Sequence, residues 1–413
     1  MRTKPLMRHG ISWRTITAIV AVAVLATMAS PAWSADIVNS MQFSGTAQAD
    51  FIQDFNRMDP NWVSSFRPSK IAAPEGIFGS NGQAIVSAKQ SGFGVTGTAP
   101  IEGGEELTYK FNFDLYGVGS NAGQTTFRLQ NFYAEWRGLL VGQTDTNWMD
   151  LSIFPDTIDY WGPAGMVFVR TPQLRWTVPT SMDKFYVAIE APNTDIDLGY
   201  ARAIDPGLAG SLQSDNKLPD FTARYRAERD WGHVQLGGIL RYLGYDTTAP
   251  GNNPSGHVTG WGLNLTSNIK SIGSDMVHLG VVYGRGIASY MNDGGVDVAP
   301  RCQINAFGNS CVAGTVSAVA VPLWGVTAYY DHYWANGLST AFGYSETHID
   351  NQSGQEGSAF ESGQYASVNL LWRPVKNIMM GAEGLWGRRT NNDGQNGKDT
   401  RIQFSVQYKF SSK

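Results

Sequence analysis

The segment Phe221-Thr222-Ala223-Arg224-Tyr225-Arg226-Ala227-Glu228 carries two arginines two residues apart. In an extended chain, alternate side chains share a face. Arg224 and Arg226 then stand with Thr222 and Glu228, while the opposite face reads Phe, Ala, Tyr, Ala. The same alternation groups Arg128 with Gln130, and Arg241 with Gln235 opposite Val234, Leu236, Leu240 and Tyr242. Arg170 and Arg175 flank Pro172 with unequal parity, so they share a face only if a bulge sits at Thr171–Pro172. Arginines gathered on the wall of a water-filled space do electrostatic chemistry: they concentrate anions. The alternative is that some of them pair with carboxylates of the same wall, such as Glu135 and Glu228.

Other chemistries lack their residues. No Gly-x-x-x-x-Gly-Lys-Ser/Thr, His-Glu-x-x-His or Cys-x-x-Cys motif occurs. His233, His257, His278, His332 and His348 are scattered singly, which reads as isolated wall or loop residues rather than metal ligands. No catalytic residue, cofactor or metal is therefore expected. Barrel hydrolases with dispersed Ser/His or Asp/His groups remain the enzymatic alternative, but they tend to be smaller barrels.

The elements that must hold the arginines are strands. Charged residues are 16% of the 413, aromatic residues 12%, and mean hydropathy is −0.22. That charge content is below the ~25% usual in soluble domains, and the hydropathy is too low for a bundle of membrane helices. A barrel averages out in this way, because lipid-facing apolar residues alternate with polar inward ones. Alternation is clearest in Ile402-Gln403-Phe404-Ser405-Val406-Gln407-Tyr408-Lys409-Phe410. Similar segments are expected at 43–55, 83–99, 107–115, 126–136, 139–143, 167–178, 185–190, 221–228, 233–245, 259–269, 276–290, 323–334, 338–349, 364–372, 379–388 and 401–410. This predicts an all-β, transmembrane antiparallel barrel of about 16 strands, an even number as single-chain bacterial barrels have. Short connections alternate with long ones, and aromatic residues such as Tyr133, Trp136, Tyr333 and Trp334 cluster near strand ends as interfacial girdles do. Arginine on the lipid face costs about 2–4 kcal/mol near the midplane, so the grouped arginines are expected inside.

Residues 1–34 read as a signal peptide, with basic Arg2, Lys4, Arg8 and Arg14, an apolar run from Ile16 to Met28, and Ala32-Trp33-Ser34 before the cut. An uncleaved anchor is the alternative, but the run is shorter than the ~20 residues a spanning helix needs. The barrel domain is then 35–413, with 27 basic and 35 acidic residues and a net charge of −8, which argues against nucleic acid as a partner. In an exported protein, Cys302 and Cys311 are expected to form one loop disulfide rather than two free thiols.

The connection 144–166 is unusually apolar, with Trp148, Met149, Leu151, Ile153, Phe154, Ile158, Tyr160 and Trp161. It is expected to fold into the barrel and narrow it, with Asp150, Asp156 and Asp159 opposing the arginines. Packing between subunits is the alternative.

Together these segments resemble the DcaP family of trimeric porins. The resemblance is carried by Asp59-Pro60, Phe66-Arg67-Pro68-Ser69-Lys70, Lys110-Phe111-Asn112-Phe113-Asp114-Leu115-Tyr116-Gly117 and Phe127-Arg128-Leu129. It continues through Leu140-Val141-Gly142-Gln143-Thr144, Phe154-Pro155, Ile158-Asp159-Tyr160-Trp161-Gly162-Pro163 and Val169-Arg170-Thr171-Pro172-Gln173-Leu174-Arg175-Trp176. It is dense from about residue 40 to 205 and looser beyond. The resemblance implies a sixteen-stranded homotrimeric barrel in the outer membrane, surrounded by lipid and lipopolysaccharide. It also implies an inward third loop and passive diffusion of small anionic solutes, carboxylates among them. Arg128, Arg170 and Arg175 match the family's motifs, whereas Arg224, Arg226 and Arg241 rest on face assignment alone. A periplasmic N-terminal coiled coil, carried by some members, has no counterpart between Ala35 and Gln42. The competing function is a structural or adhesive surface barrel whose loops bind a partner.

Overall fold

The computed structural model describes residues 40–180, 183–205, 207–248 and 254–412. The expected signal peptide, 1–34, lies outside the described residues. The strands are β1 (Gln42–Asp54), β2 (Gln83–Ser87), β3 (Gly92–Ile101), β4 (Glu105–Tyr116), β5 (Thr125–Trp136), β6 (Leu139–Asp145), β7 (Arg170–Val178), β8 (Lys184–Glu190), β9 (Leu212–Ser214) and β10 (Asp220–Arg229). They continue as β11 (Gly232–Thr247), β12 (Gly256–Lys270), β13 (Met276–Arg285), β14 (Val298–Arg301), β15 (Ser317–Ala320), β16 (Pro322–Tyr333), β17 (Leu338–Ile349), β18 (Phe360–Val375), β19 (Ile378–Asn391) and β20 (Asn396–Ser411).

Successive staves of the wall pair antiparallel, with β8 on β10 and β13 on β16 across the shorter elements between them, and β1 closes the ring on β20 from Ser44↔Ser411 to Asp54↔Arg401. β2 and β3 share one place along β1, and β9 and β10 share one along β11. β14 and β15 form a separate hairpin. The wall is thus a closed antiparallel barrel of sixteen staves, which leaves no strand edge at the ends of the sheet.

Alternation sets the two faces. On β20, Ile402, Phe404 and Val406 are 38–55% exposed, while Arg401, Gln403 and Ser405 are at most 2% exposed. The outer surface is a band of Leu, Val, Phe and Trp, including Leu236, Leu240, Leu263, Val281, Val368 and Leu370. The pairing of β5 with β4 shifts register twice, at Asn112/Phe113 and at Asp114/Tyr116, and the first shift changes the parity of β5. Phe127 and Leu129 face outward, and after the shift at Asn112/Phe113 so does Phe132. That places Arg128, Gln130, Asn131 and Glu135 inside.

Short connections such as 102–104, 137–138, 230–231 and 376–377 lie at one end, and long ones such as 55–82, 146–169, 286–321 and 350–359 at the other. Several expected boundaries shift: the segment 83–99 divides into β2 and β3, and 364–372 and 379–388 lengthen into β18 and β19. β7 begins at Arg170 rather than 167, because Val167 bridges Met291 inside the barrel. β13 ends at Arg285 rather than 290, where the chain turns inward through Ala288–Tyr290. The bulge expected at Thr171–Pro172 is absent: β6 and β7 pair in unbroken register from Leu139↔Trp176 to Asp145↔Arg170. Arg175 therefore shares the inner face with Thr171 and Gln173, and Arg170 stands on the opposite parity.

Candidate functional site

The third long connection, 146–169, bonds to inward side chains around the wall. Its start is held by Glu190 on β8, which accepts from Asn147 N at 2.9 Å and also binds Thr171 and Thr222. Trp148 follows and is fully buried. It occupies a slot made by two inward glycines: a methyl group placed on Gly237 or Gly262 would lie 2.8 Å from its ring. Its carbonyl accepts from Asn264, and that of Met149 from Gln235. Apolar inner-face residues Ile239, Val282 and Leu323 pack on it with Ile287, Tyr290 and Met291 of the connection after β13. On this side the barrel interior is a packed core.

Asp150 comes next. Arg226 Nη1 donates to its Oδ1 at 2.9 Å, and His233 Nε2 and Thr266 Oγ1 lie 2.7 Å from Oδ2. Burial disfavours its charge, but the contacts with His233, Thr266 and Arg226 outweigh it and hold the carboxyl below the usual range. Asp156 receives both of its short bonds from Arg373, at 2.7 and 2.8 Å. Asp159 accepts from Phe66 N at 2.8 Å, from Gly162 N and from Tyr365. Burial pushes its carboxyl up to about 6, against the lowering influence of Arg401 and these donors. The backbone N–H groups of Ile158 and Asp159 both donate to Glu383. Tyr160 reaches Asp114 on β4, and Gly165 N donates to Ser345 on β17. The segment therefore lies against the inner wall, and each of its three aspartates is an anchor bonded to that wall.

The six expected arginines fall into two groups. Arg128 bonds Asp114 through two nitrogens, Arg170 pairs with Asp145 at 3.0 Å, and Arg226 holds Asp150 and Glu228. Arg241 is fully buried between Asp220 at 3.0 Å and Asp297 at 2.9 Å, so it ties the wall to the connection after β13. Arg175 and Arg224 have no carboxylate within 4.0 Å among the described residues. Both line a cavity of 460 Å³ near the short turns, with Glu135, Lys184 and Tyr186. Arg224 lies over the Tyr186 ring at 4.1 Å and donates to Met149 O.

A larger cavity of 740 Å³ lies toward the long connections. Its main basic group escaped sequence reading: Arg67 is clasped between Trp62 and Trp161, 4.2 and 4.1 Å from their centroids, and donates to Asp293 at 2.9 Å. Lys70 and Arg389 share that cavity. Arg401, fully buried against Asp54, also went unread, although its parity opposite Ile402 and Phe404 points it inward. Cys302 and Cys311 are disulfide-bonded, with Cα atoms 5.6 Å apart. No cluster of three or more metal-ligating side chains occurs among the described residues.

No protein-family model and no curated protein matches the chain. Solved structures do. The DcaP outer-membrane channel of Acinetobacter baumannii superposes with a TM-score of 0.74 at 19% identity, over 90% of this chain and 97% of that one. The anion-selective porin of Comamonas acidovorans gives 0.55 at 8% identity, over 90% and 99%. A loop-deletion mutant of OmpT, an outer-membrane protein of Vibrio cholerae, gives 0.52 at 10% identity, over 90% and 99%. At these identities the likeness is one of fold, and the fold of this chain is that of the sixteen-stranded outer-membrane channels.

Proposed function

We propose that this chain is an outer-membrane porin: a homotrimer, set in outer-membrane lipid and lipopolysaccharide, that passes small hydrophilic solutes by passive diffusion and prefers small anions, carboxylates among them. The observation that carries the preference is the pair Arg175 and Arg224, inward guanidiniums without carboxylate partners on one cavity. The other four arginines are neutralised by bonded carboxylates and contribute less to the field that a passing ion meets. The third long connection, bonded across the interior, restricts the passage to the space left beside it. A shared fold with an anion-selective porin accords with this reading.

Single-channel recording in planar bilayers under a salt gradient tests it. Stepwise conductance with reversal potentials on the anion side is expected, together with current block by added dicarboxylates. Folded protein that yields no ion-conducting insertions would rule the channel out.

A further inference from the structure

We propose that Gln364, Arg388 and Lys398 hold a phosphate of lipid A, the phosphorylated anchor of lipopolysaccharide, with one of its acyl chains in a groove below them. The inference rests on the reading above, in which lipopolysaccharide surrounds the barrel, and gives it a binding site.

The three residues face outward. On β19 the neighbours of Arg388 point into the barrel: a methyl group on Gly387 would meet Phe66, and Arg389 lines the 740 Å³ cavity. Arg388 between them is exposed on the lipid side. On β20 the neighbours Gly397 and Asp399 are buried, and Lys398 is exposed on the same side as Arg388. Register places Arg388 directly between Gln364 on β18 and Lys398 on β20. At about 4.8 Å per strand, the row is about 10 Å wide.

Like charges directly opposite each other destabilise a strand pair, and nothing in the chain relieves this one. Neither the Arg388 nor the Lys398 side chain makes an ion pair among the described residues. Along the same row the next outward carboxylate is Glu346 on β17, two strands from Arg388, and it accepts from Tyr344 at 2.7 Å. Asp393, in the connection above, accepts from Gln395 N. Cations at the opposite rim have partners: Arg137 pairs with Glu105, and Arg229 with Asp183. An anion from outside the chain supplies what Arg388 and Lys398 lack.

Depth places that anion in a lipid headgroup. The row lies at the end that carries the long connections, which is the outer end in barrels of this kind. Below Lys398, the outward residues of β20 run through Ile402, Phe404 and Val406 to Tyr408. A strand rises about 3.4 Å per residue and tilts near 40°, so the climb from Tyr408 to Lys398 is about 26 Å. That matches the ~25 Å apolar band and leaves the cations at its outer border. Trp386, outward and one step below Arg388, is a residue type that collects at that border.

A groove continues from the row into the band. Below Trp386 the outward positions of β19 are Gly384 and Ala382. They lie between Val368 and Leu370 on β18 and Ile402 and Phe404 on β20. A methyl group on Gly384 would have no atom closer than 4.0 Å. No internal contact requires a glycine there, and the space it leaves opens to lipid. A glycolipid with phosphate at its headgroup and acyl chains beneath matches the cations and the groove together. Phospholipid of the inner leaflet carries its phosphate at the opposite rim.

Native mass spectrometry of the full chain, folded in detergent and titrated with defined lipids, tests the site. Wild type is expected to bind bis-phosphorylated lipid A roughly tenfold more tightly than dephosphorylated lipid A or phosphatidylglycerol, the effect of two cations on an anionic lipid. Arg388→Gln combined with Lys398→Gln should abolish most of that difference. Gly384→Leu fills the groove, keeps the cations and should weaken binding of both forms of lipid A. Should the double variant not fold, the phosphate dependence of wild type and the Gly384→Leu result still decide. An equal loss from Arg285→Gln, an exposed outward cation on β13, would reveal a general effect of rim charge and overturn the site. Preference for lipid A that survives the double substitution removes the site and leaves the lipopolysaccharide setting in place. Wild type that binds no lipid A yet conducts in planar bilayers removes both and leaves the channel standing.

Discussion

Arg226 on β10 and Asp150 in the third long connection form an ion pair at 2.9 Å, with the carboxylate side chain only 1% exposed. His233 and Thr266 complete the cage around it. The arginine therefore positions the connection rather than facing a solute. Arg226→Ala leaves a buried carboxylate with fewer partners. Removing one member of a buried pair costs about 3–5 kcal/mol; with His233 and Thr266 retained, a loss of about 2–3 kcal/mol is expected. Thermal unfolding followed by circular dichroism measures it, and channel records should become noisier as the connection loosens.

Selectivity should respond at a different arginine. Charge reversal at Arg175, alone or with Arg224, is expected to move the reversal potential toward cations; neither residue holds a carboxylate, and Arg224→Glu also gives up the bond to Met149 O and the contact with Tyr186, so its stability cost should exceed that of Arg175→Glu. Equal shifts for Arg224→Glu and Arg241→Glu, in folded protein, would contradict the division of the arginines into free and paired.

The slot under Trp148 gives a steric test. Gly262→Leu places a side chain where the indole ring packs, and Trp148→Ala empties the slot, at a cost of about 3–5 kcal/mol for a buried Trp. Both should release the start of the connection and raise single-channel conductance. Unchanged conductance in folded variants would mean that this segment does not limit the passage.

Two loop carboxylates predict opposite pH dependences. Asp150 is held below its usual value of 3.8, so its contribution is present above about pH 4 and lost only as the pH falls below that. Asp159 is raised to about 6, so its contribution is present below pH 3.8 and fades as the pH rises through about 6. Relative to wild type, Asp159→Asn should gain stability between pH 4 and pH 7, and Asp150→Asn should lose a constant amount over that range. Melting temperatures across the range decide both signs.

The Cys302–Cys311 bridge closes a short loop outside the barrel wall. Loop-closure entropy assigns it about 2–3 kcal/mol, confined to that loop. Reduction should speed proteolysis near 302–311 and leave the conductance unchanged. Mass spectra of the peptide before and after reduction establish the bond itself.

The period of two, the number of alternating segments and the alternation of short and long connections were legible in the sequence, because each follows from local strand geometry and from the cost of placing charge in lipid. The same parity pointed Arg128, Arg224, Arg226 and Arg241 inward, and set Arg170 and Arg175 on opposite faces unless a bulge lay between them. Which of them remain available to a solute was not legible. Arg226 meets a carboxylate 76 residues away, Arg241 one 56 residues away and Arg401 one 347 residues away. Such pairs form only when the ring closes and the third long connection crosses it, so parity names the face and tertiary packing names the partner. The chain by itself determined a sixteen-stave barrel with an arginine-bearing interior. Tertiary structure decided that Arg128, Arg226 and Arg241 are bonded to carboxylates inside, that Arg170 pairs with Asp145 on the opposite parity, and that Arg175 and Arg224 have no carboxylate partner among the described residues, because a guanidinium's neighbours are set by contacts across the barrel that no local pattern encodes.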